Sequence, residues 1–225
     1  MCEKVASTIK RLPQTLVNGA VMADEPIISP DTLRGQRLPP GQVQTHKWPV
    51  LHEGEIPPFD PDTWTLTLFP CPLVDHVHQW TWPEFLALPR TRVFADMHCV
   101  TRWSKLNNLW EGVSTRILQQ FVKIHPDARF VMIHCEYGYT TNLPMDDFFA
   151  EDSLLAMKHD GRDLEPEHGY PLRLVVPRRY AWKSAKWVRG IEFMTEDRPG
   201  YWESWENGGY SMQGDPWAES RYRER

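Results

Sequence analysis

Three short stretches of this chain carry side chains whose types and spacing could do chemistry. The first ends at Cys99, where an apolar run from Phe94 delivers a lone thiol to a polar segment. No second cysteine lies nearby, so neither a local disulfide nor a paired-cysteine zinc knuckle is open to it. Such a thiol is a soft-metal ligand, a nucleophile or a filler of core space. The first two require the thiolate; the third needs no polar company. His98 is adjacent, but on a strand it points to the opposite face. His134 and Cys135, at a later strand end, are the residues that could join a metal site, although no spacing among them is diagnostic.

The second stretch runs from His168 through Gly169, Tyr170, Pro171 and Leu172 to Arg173. An arginine in so apolar a strand meets an anion or a carboxylate, because leaving its charge unpaired there is costly. The third holds Arg178, Arg179, Lys183, Ser184, Ala185 and Lys186. Turn amides with Ser184 and flanking lysines make a phosphate cradle or, equally, a solvated basic loop. No Walker loop, dinucleotide glycine fingerprint or hydrolase nucleophile elbow is present, which removes support for nucleotide-driven and hydride-transfer chemistry.

The elements that must position these residues can be read from periodicity. Residues 63–69 alternate polar and apolar, as does a strand with one buried face. Thr81, Pro83 and Glu84 spell a capped helix start over 81–88. Residues 91–97 form the strand that presents Cys99, and 114–122 have helical apolar spacing. Strands are expected at 128–135, 153–157, 171–177 and 187–193, with a break at residues 137–139. A short helix is expected at 144–149 and a hairpin turn at Asp160-Gly161. The tail from Arg198 reads as a loop that packs through its aromatics.

The chain has 225 residues, 41% of them hydrophobic and 24% charged, which fits one soluble globular domain. Its net charge of -5 gives no pull toward nucleic acid or an anionic membrane. No run of about 18 apolar residues is available to span a bilayer. Twenty prolines argue against long helices, and eleven tryptophans mark core or pocket walls. The four cysteines are scattered, and residues 1–16 lack the apolar run of an export signal. The expectation is a cytoplasmic protein with free thiols. Residues 1–45 form an extended lead-in, and 46–225 form one mixed α/β (α+β) domain.

Taken together, these segments resemble the molybdopterin domain of the sulfite oxidase family over residues 46–195. Cys99-Val100, followed by polar residues and then Leu109-Trp110-Glu111-Gly112-Val113, is similar to the family's cysteine strand and its Trp-Gly segment. Residues 168–177 resemble its His-Gly-x-Pro-x-Arg-x-Val-Val-Pro stretch, and 183–188 its (Arg/Lys)-Ser-x-Lys-Trp run. The resemblance implies a molybdopterin cofactor with Cys99 as its molybdenum ligand. It implies that His52, His168, Arg173, Ser184, Ala185 and Lys186 bind the pterin, and that Lys183 or a tyrosine (Tyr137, or else Tyr139 or Tyr180) orients the substrate. It further implies oxygen-atom transfer to or from a small substrate, a sulfoxide, an N-oxide or a sulfite-like anion, with electrons exchanged through a separate partner protein. The rival is a molybdopterin or anion carrier without turnover.

The departures from sulfite oxidases are specific. Val50 stands where they have an arginine, residues 101–104 replace their Asn-Arg-Arg run, and Lys183 replaces an arginine. A small dianion needs several cations, and some are missing here. Neither the family's C-terminal dimer domain nor its haem domain is expected in this chain. It is closer to single-domain relatives, among them periplasmic methionine sulfoxide reductases.

Overall fold

The structure, a computed structural model, describes residues 25–223. Cys2 and the segment read for an export signal lie outside the described residues. In chain order the strands are β1 (Ile27–Ile28), β2 (Val43–Gln44), β3 (Thr65–Leu68), β4 (His78–Thr81), β5 (Thr91–His98) and β6 (Trp103–Ser114). They continue as β7 (Phe130–Cys135), β8 (Thr140–Pro144), β9 (Leu154–His159), β10 (Arg162–Asp163), β11 (Arg173–Val175) and β12 (Val188–Met194). Two short helices, α1 (Trp82–Leu86) and α2 (Met145–Phe148), complete the regular α structure among these residues.

The strands build two sheets. One has the order β1-β5-β6-β9-β10, with β11 also on β9 and β2 on β6; the other runs β4-β3-β12-β7-β8. Most pairs are antiparallel, whereas β1/β5, β2/β6 and β12/β3 are parallel. The larger core cluster includes Leu66, Trp80, Val113, Val131, Leu174 and Phe193, and a smaller one gathers Val93, Ala95, Trp110 and Ala156. The alternation at 63–69 becomes β3, with Leu66 and Leu68 buried between half-buried threonines. At α1, Glu84 accepts both the N–H and the hydroxyl of Thr81 at 2.8 Å, which satisfies donors the first turn leaves over.

Three features differ from the sequence expectations. Residues 114–122 form a 3-10 turn over Thr115–Gln120, not an α-helix. Ser114 caps it, and Leu118 is buried; so short a segment wins little from i→i+4 bonding. The twelve-residue β6, read only as a polar stretch after Cys99, is the longest strand and the centre of its sheet. Gly112 permits its close pairing with β9 at the register shift beside Glu111, because a Cβ there would run into the Leu155 carbonyl. Residues 27–44 contribute two edge strands instead of only wrapping the surface.

Candidate functional site

β5 ends at His98 and hands Cys99 to a tight turn. Its N–H bonds the Trp103 carbonyl at 2.8 Å, and its own carbonyl accepts from the Arg102 N–H at 3.0 Å. Two distant residues grip the same turn: Gln42 donates to the Cys99 carbonyl at 3.0 Å, and Arg221 donates to the Val100 carbonyl. The thiol is 7% exposed and opens into a cleft of about 510 Å³. Burial pushes the thiol pKa up, while the Thr101 hydroxyl, 3.2 Å from Sγ, and Arg173 pull it down. A thiolate there is stable only against a cation.

Across the cleft, Arg173 enters from the start of β11 and is 3% exposed. One guanidinium nitrogen donates to the His168 carbonyl at 3.0 Å, and Nε is buried with no partner. No carboxylate lies within ion-pair distance of it among the described residues, so the alternative of a structural ion pair falls away. Burial lowers its pKa to about 10. Lys186 donates to the Leu51 carbonyl at 2.8 Å and to that of Glu167. Burial, then the Arg173 charge, lowers its pKa to about 7. Gly169 lets these cations converge: its φ of +112° is a left-handed conformation, and a Cβ would sit 3.2 Å from the Cβ atoms of both Arg173 and Lys186.

His168 stacks on Trp48 with ring centroids 3.8 Å apart, and its Nε2 faces the Trp48 carbonyl at 3.3 Å. Burial, with Arg173 and Lys186 beside it, lowers its pKa and keeps the ring neutral at pH 7. His52 lies at the exposed rim, edge-on to Trp187 at 5.4 Å. Ser184 and Ala185 line the floor. The Ser184 hydroxyl accepts the Val176 N–H at 3.0 Å and keeps its own proton to donate, and the Ala185 carbonyl accepts from Leu174.

Most of the expected residues therefore meet in one place: Cys99, His52, His168, Arg173, Ser184, Ala185, Lys186 and Tyr137 all line the cleft. Tyr137 stands at its mouth, 65% exposed and with a left-handed φ of 55°. Tyr139 sits farther in and donates to the Trp182 carbonyl at 2.9 Å; Tyr180 is buried outside the cleft. Lys183 is a correction. Its ammonium is fully buried, 2.6 Å from Glu203 and 2.7 Å from the Asn142 side-chain oxygen, and it does not reach the cleft. Arg178 and Arg179 likewise pair with Asp152 and Asp147. His134 bonds Glu192 at 3.0 Å, and among the described residues no three metal-ligating side chains cluster. Sequence reasoning missed Trp48, Trp182, Tyr201, Trp202 and Tyr210 as wall residues. The count of eleven tryptophans marks pocket walls in general, without saying which tryptophans or tyrosines form this one.

The family model described as the oxidoreductase molybdopterin binding domain matches residues 53–202. The chain belongs to this family. It is 47% identical over 187 residues to the uncharacterized oxidoreductase YuiH of Bacillus subtilis, covering 83% of this chain and 92% of that protein. It is 30% identical over 142 residues to a putative protein-methionine-sulfoxide reductase subunit, YedZ1, of Azospira oryzae. That match covers 63% of this chain but only 53% of the relative. The fold is similar to that of the sulfane dehydrogenase SoxCD from Paracoccus pantotrophus, with a TM-score of 0.59 and 23% identity over 69% of this chain and 43% of that one.

The protein is thus a molybdopterin-dependent oxidoreductase of the sulfite oxidase-like group, and its cofactor is molybdenum with molybdopterin. The residues present fit that group. Arg173, a buried cation with an unpartnered N–H, and Lys186, held by carbonyls and the Trp187 ring but by no carboxylate, suit an anionic pterin tail. Cys99 is the soft donor on the same cleft.

Proposed function

We propose that this oxidoreductase moves an oxygen atom from a small uncharged substrate, a sulfoxide or an N-oxide, and draws electrons from a separate carrier protein. For a sulfoxide the net change consumes two electrons and two protons, breaks the sulfur–oxygen bond, and yields the thioether and water. The molybdenum cofactor, when bound, supplies the two-electron redox couple. Arg173, Lys186 and His168 would hold the anionic end of the cofactor, and Cys99 would ligate its metal. The observation that carries the reading is the lining of the cleft. Arg173 and Lys186 are the only arginine and lysine among its described lining residues, while Trp182, Trp202 and Tyr210 pack together as a ring cluster on the same cleft.

Tyr137, whose phenol is exposed at the mouth, donates a proton to the substrate oxygen; the Tyr139 proton is already engaged by a carbonyl. The Azospira relative is named as a reductase subunit, which agrees with a partner as the electron source. Cys71, Cys99 and Cys135 are free thiols, which suits a reducing cytoplasm.

The test is to purify the chain from a host that makes molybdopterin, measure molybdenum per chain, and follow oxidation of a reduced viologen dye with sulfoxides and N-oxides. Turnover with molybdenum near one per chain supports the reading. Sulfite oxidation with ferricyanide, but no dye oxidation, would reverse the direction proposed.

A further inference from the structure

We infer that the segment 200–210, hung on the buried Glu203, is the specificity wall of the cleft and selects uncharged substrates with an aromatic body. This rests on the oxygen-transfer reading above and names its substrate class. Glu203 is fully buried. Its Oε1 accepts from Trp182 Nε1 at 2.8 Å and Thr141 Oγ1 at 3.0 Å, and lies 2.6 Å from Lys183 Nζ. One carboxylate therefore ties the segment to β8 and to the turn that carries Trp182. Gly200 allows the close approach, because a Cβ there would lie 2.6 Å from the Thr140 carbonyl. The Tyr201 N–H then bonds that carbonyl at 2.9 Å.

From this anchor the rings form a continuous surface. Trp202 stacks on Tyr210 at 5.5 Å, Tyr210 packs on Trp182 at 4.9 Å, and Tyr201 lies 5.7 Å from Tyr139. All five line the cleft. The carboxylates there, Glu53 and Glu136, repel an anion, although Arg189 lies 3.3 Å from Glu136. Among the described residues the cleft lining holds one lysine and one arginine, Lys186 and Arg173, and each donates to a main-chain carbonyl. A flat apolar group gains ring contacts on this wall, whereas a small dianion gains none.

The test compares the holoenzyme with its Trp202→Ala, Trp202→Phe and Glu203→Gln variants, using methyl p-tolyl sulfoxide, dimethyl sulfoxide and sulfite. Binding is read by quenching of tryptophan fluorescence and turnover by dye oxidation, with molybdenum per chain as a control. Trp202→Ala should keep its molybdenum, weaken binding of the aryl sulfoxide, and raise its KM about five- to tenfold more than that of dimethyl sulfoxide. Trp202→Phe should recover most of the loss. If Glu203→Gln does not fold, the two Trp202 variants still decide. Equal effects on both sulfoxides, or sulfite binding as tight as the aryl sulfoxide, would overturn the wall. Binding that depends on Trp202 without turnover of any substrate would leave the wall standing and sink the oxygen-transfer reading.

Discussion

Lys183 and Lys186 lie three residues apart, the first fully buried and the second half-buried, yet they do opposite work. Lys183 meets the Glu203 carboxylate at 2.6 Å and two oxygens of Asn142, so its charge is neutralised inside the protein. Lys186 meets main-chain carbonyls and the face of Trp187, and with Arg173 beside it the cost of its charge is not offset by any carboxylate it touches. The same contrast divides the cleft. Its aromatic side is anchored by a closed ion pair, while its cationic side carries buried charge that an anion would complete. A buried lysine is therefore informative by its partner and not by its burial: the carboxylate marks architecture, and the carbonyls mark a ligand site.

The comparison breaks most severely at the thiol between the two sides. Cys99→Ser should abolish molybdenum binding and lower turnover at least about a thousandfold, because a hydroxyl is a poor soft-metal ligand. The fold should persist, since serine matches the thiol in shape. Elemental analysis alongside circular dichroism checks this. A serine variant that keeps its molybdenum would remove Cys99 from the site.

The closed pair comes next. Glu203→Leu leaves Lys183 as an uncompensated buried cation and should cost about 3–5 kcal/mol of stability. Replacing both partners, Lys183→Met with Glu203→Leu, should recover most of that. Urea unfolding of the three proteins gives the answer, and a double variant no better than the single one would mean that the pair is not a closed unit.

Much of the cationic side was legible in the sequence because it is nearly contiguous. His168, Arg173, Ser184 and Lys186 come from one stretch, and the apolar surroundings of Arg173 already implied that its charge meets an anion or a carboxylate. β3, α1, β5 and the hairpin at Asp160 followed from alternation, capping and turn chemistry. The 3-10 turn at Thr115–Gln120 did not, since apolar spacing there fits both helical forms. β6 was missed because its polar residues, Lys105, Asn107 and Asn108, hide the alternation of a sheet centre. Lys183 looked like its neighbours, and only the three-dimensional placement of Glu203 separated them. The aromatic side was illegible for the same reason: Trp182, Tyr201, Trp202 and Tyr210 converge through Glu203, a contact between segments that no local pattern encodes.

Arg173→Met tests the open side in the reverse sense. It removes a cation that has no carboxylate partner, so the cofactor-free chain should lose far less stability than Glu203→Leu does. Cofactor retention should instead fall by about 1.5–3 kcal/mol, roughly ten- to hundredfold, the worth of a charge-assisted hydrogen bond. Molybdenum retained through dialysis measures it. Equal retention by the two proteins would place the anionic tail elsewhere.

The smallest effect is the most particular to an open cation. In the cofactor-free chain burial holds the Lys186 pKa at about 7, well below the value near 10.4 of an unfolded lysine. Between those values the unfolded chain binds more protons than the folded one, so stability rises with pH across that window. Below about pH 7 the full cost of the buried charge is present. The slope should be under about 1 kcal/mol per pH unit, because the side chain is partly solvated. Lys186→Met should flatten it. So should the bound cofactor, whose anionic tail favours the ammonium form and brings the folded pKa back toward the unfolded one. Urea unfolding at pH 6.5, 8 and 9.5, with and without cofactor, reads the slope directly. If the wild-type and Lys186→Met chains share one slope, Lys186 is paired within the protein as Lys183 is, and the distinction between the two sides rests on Arg173 alone.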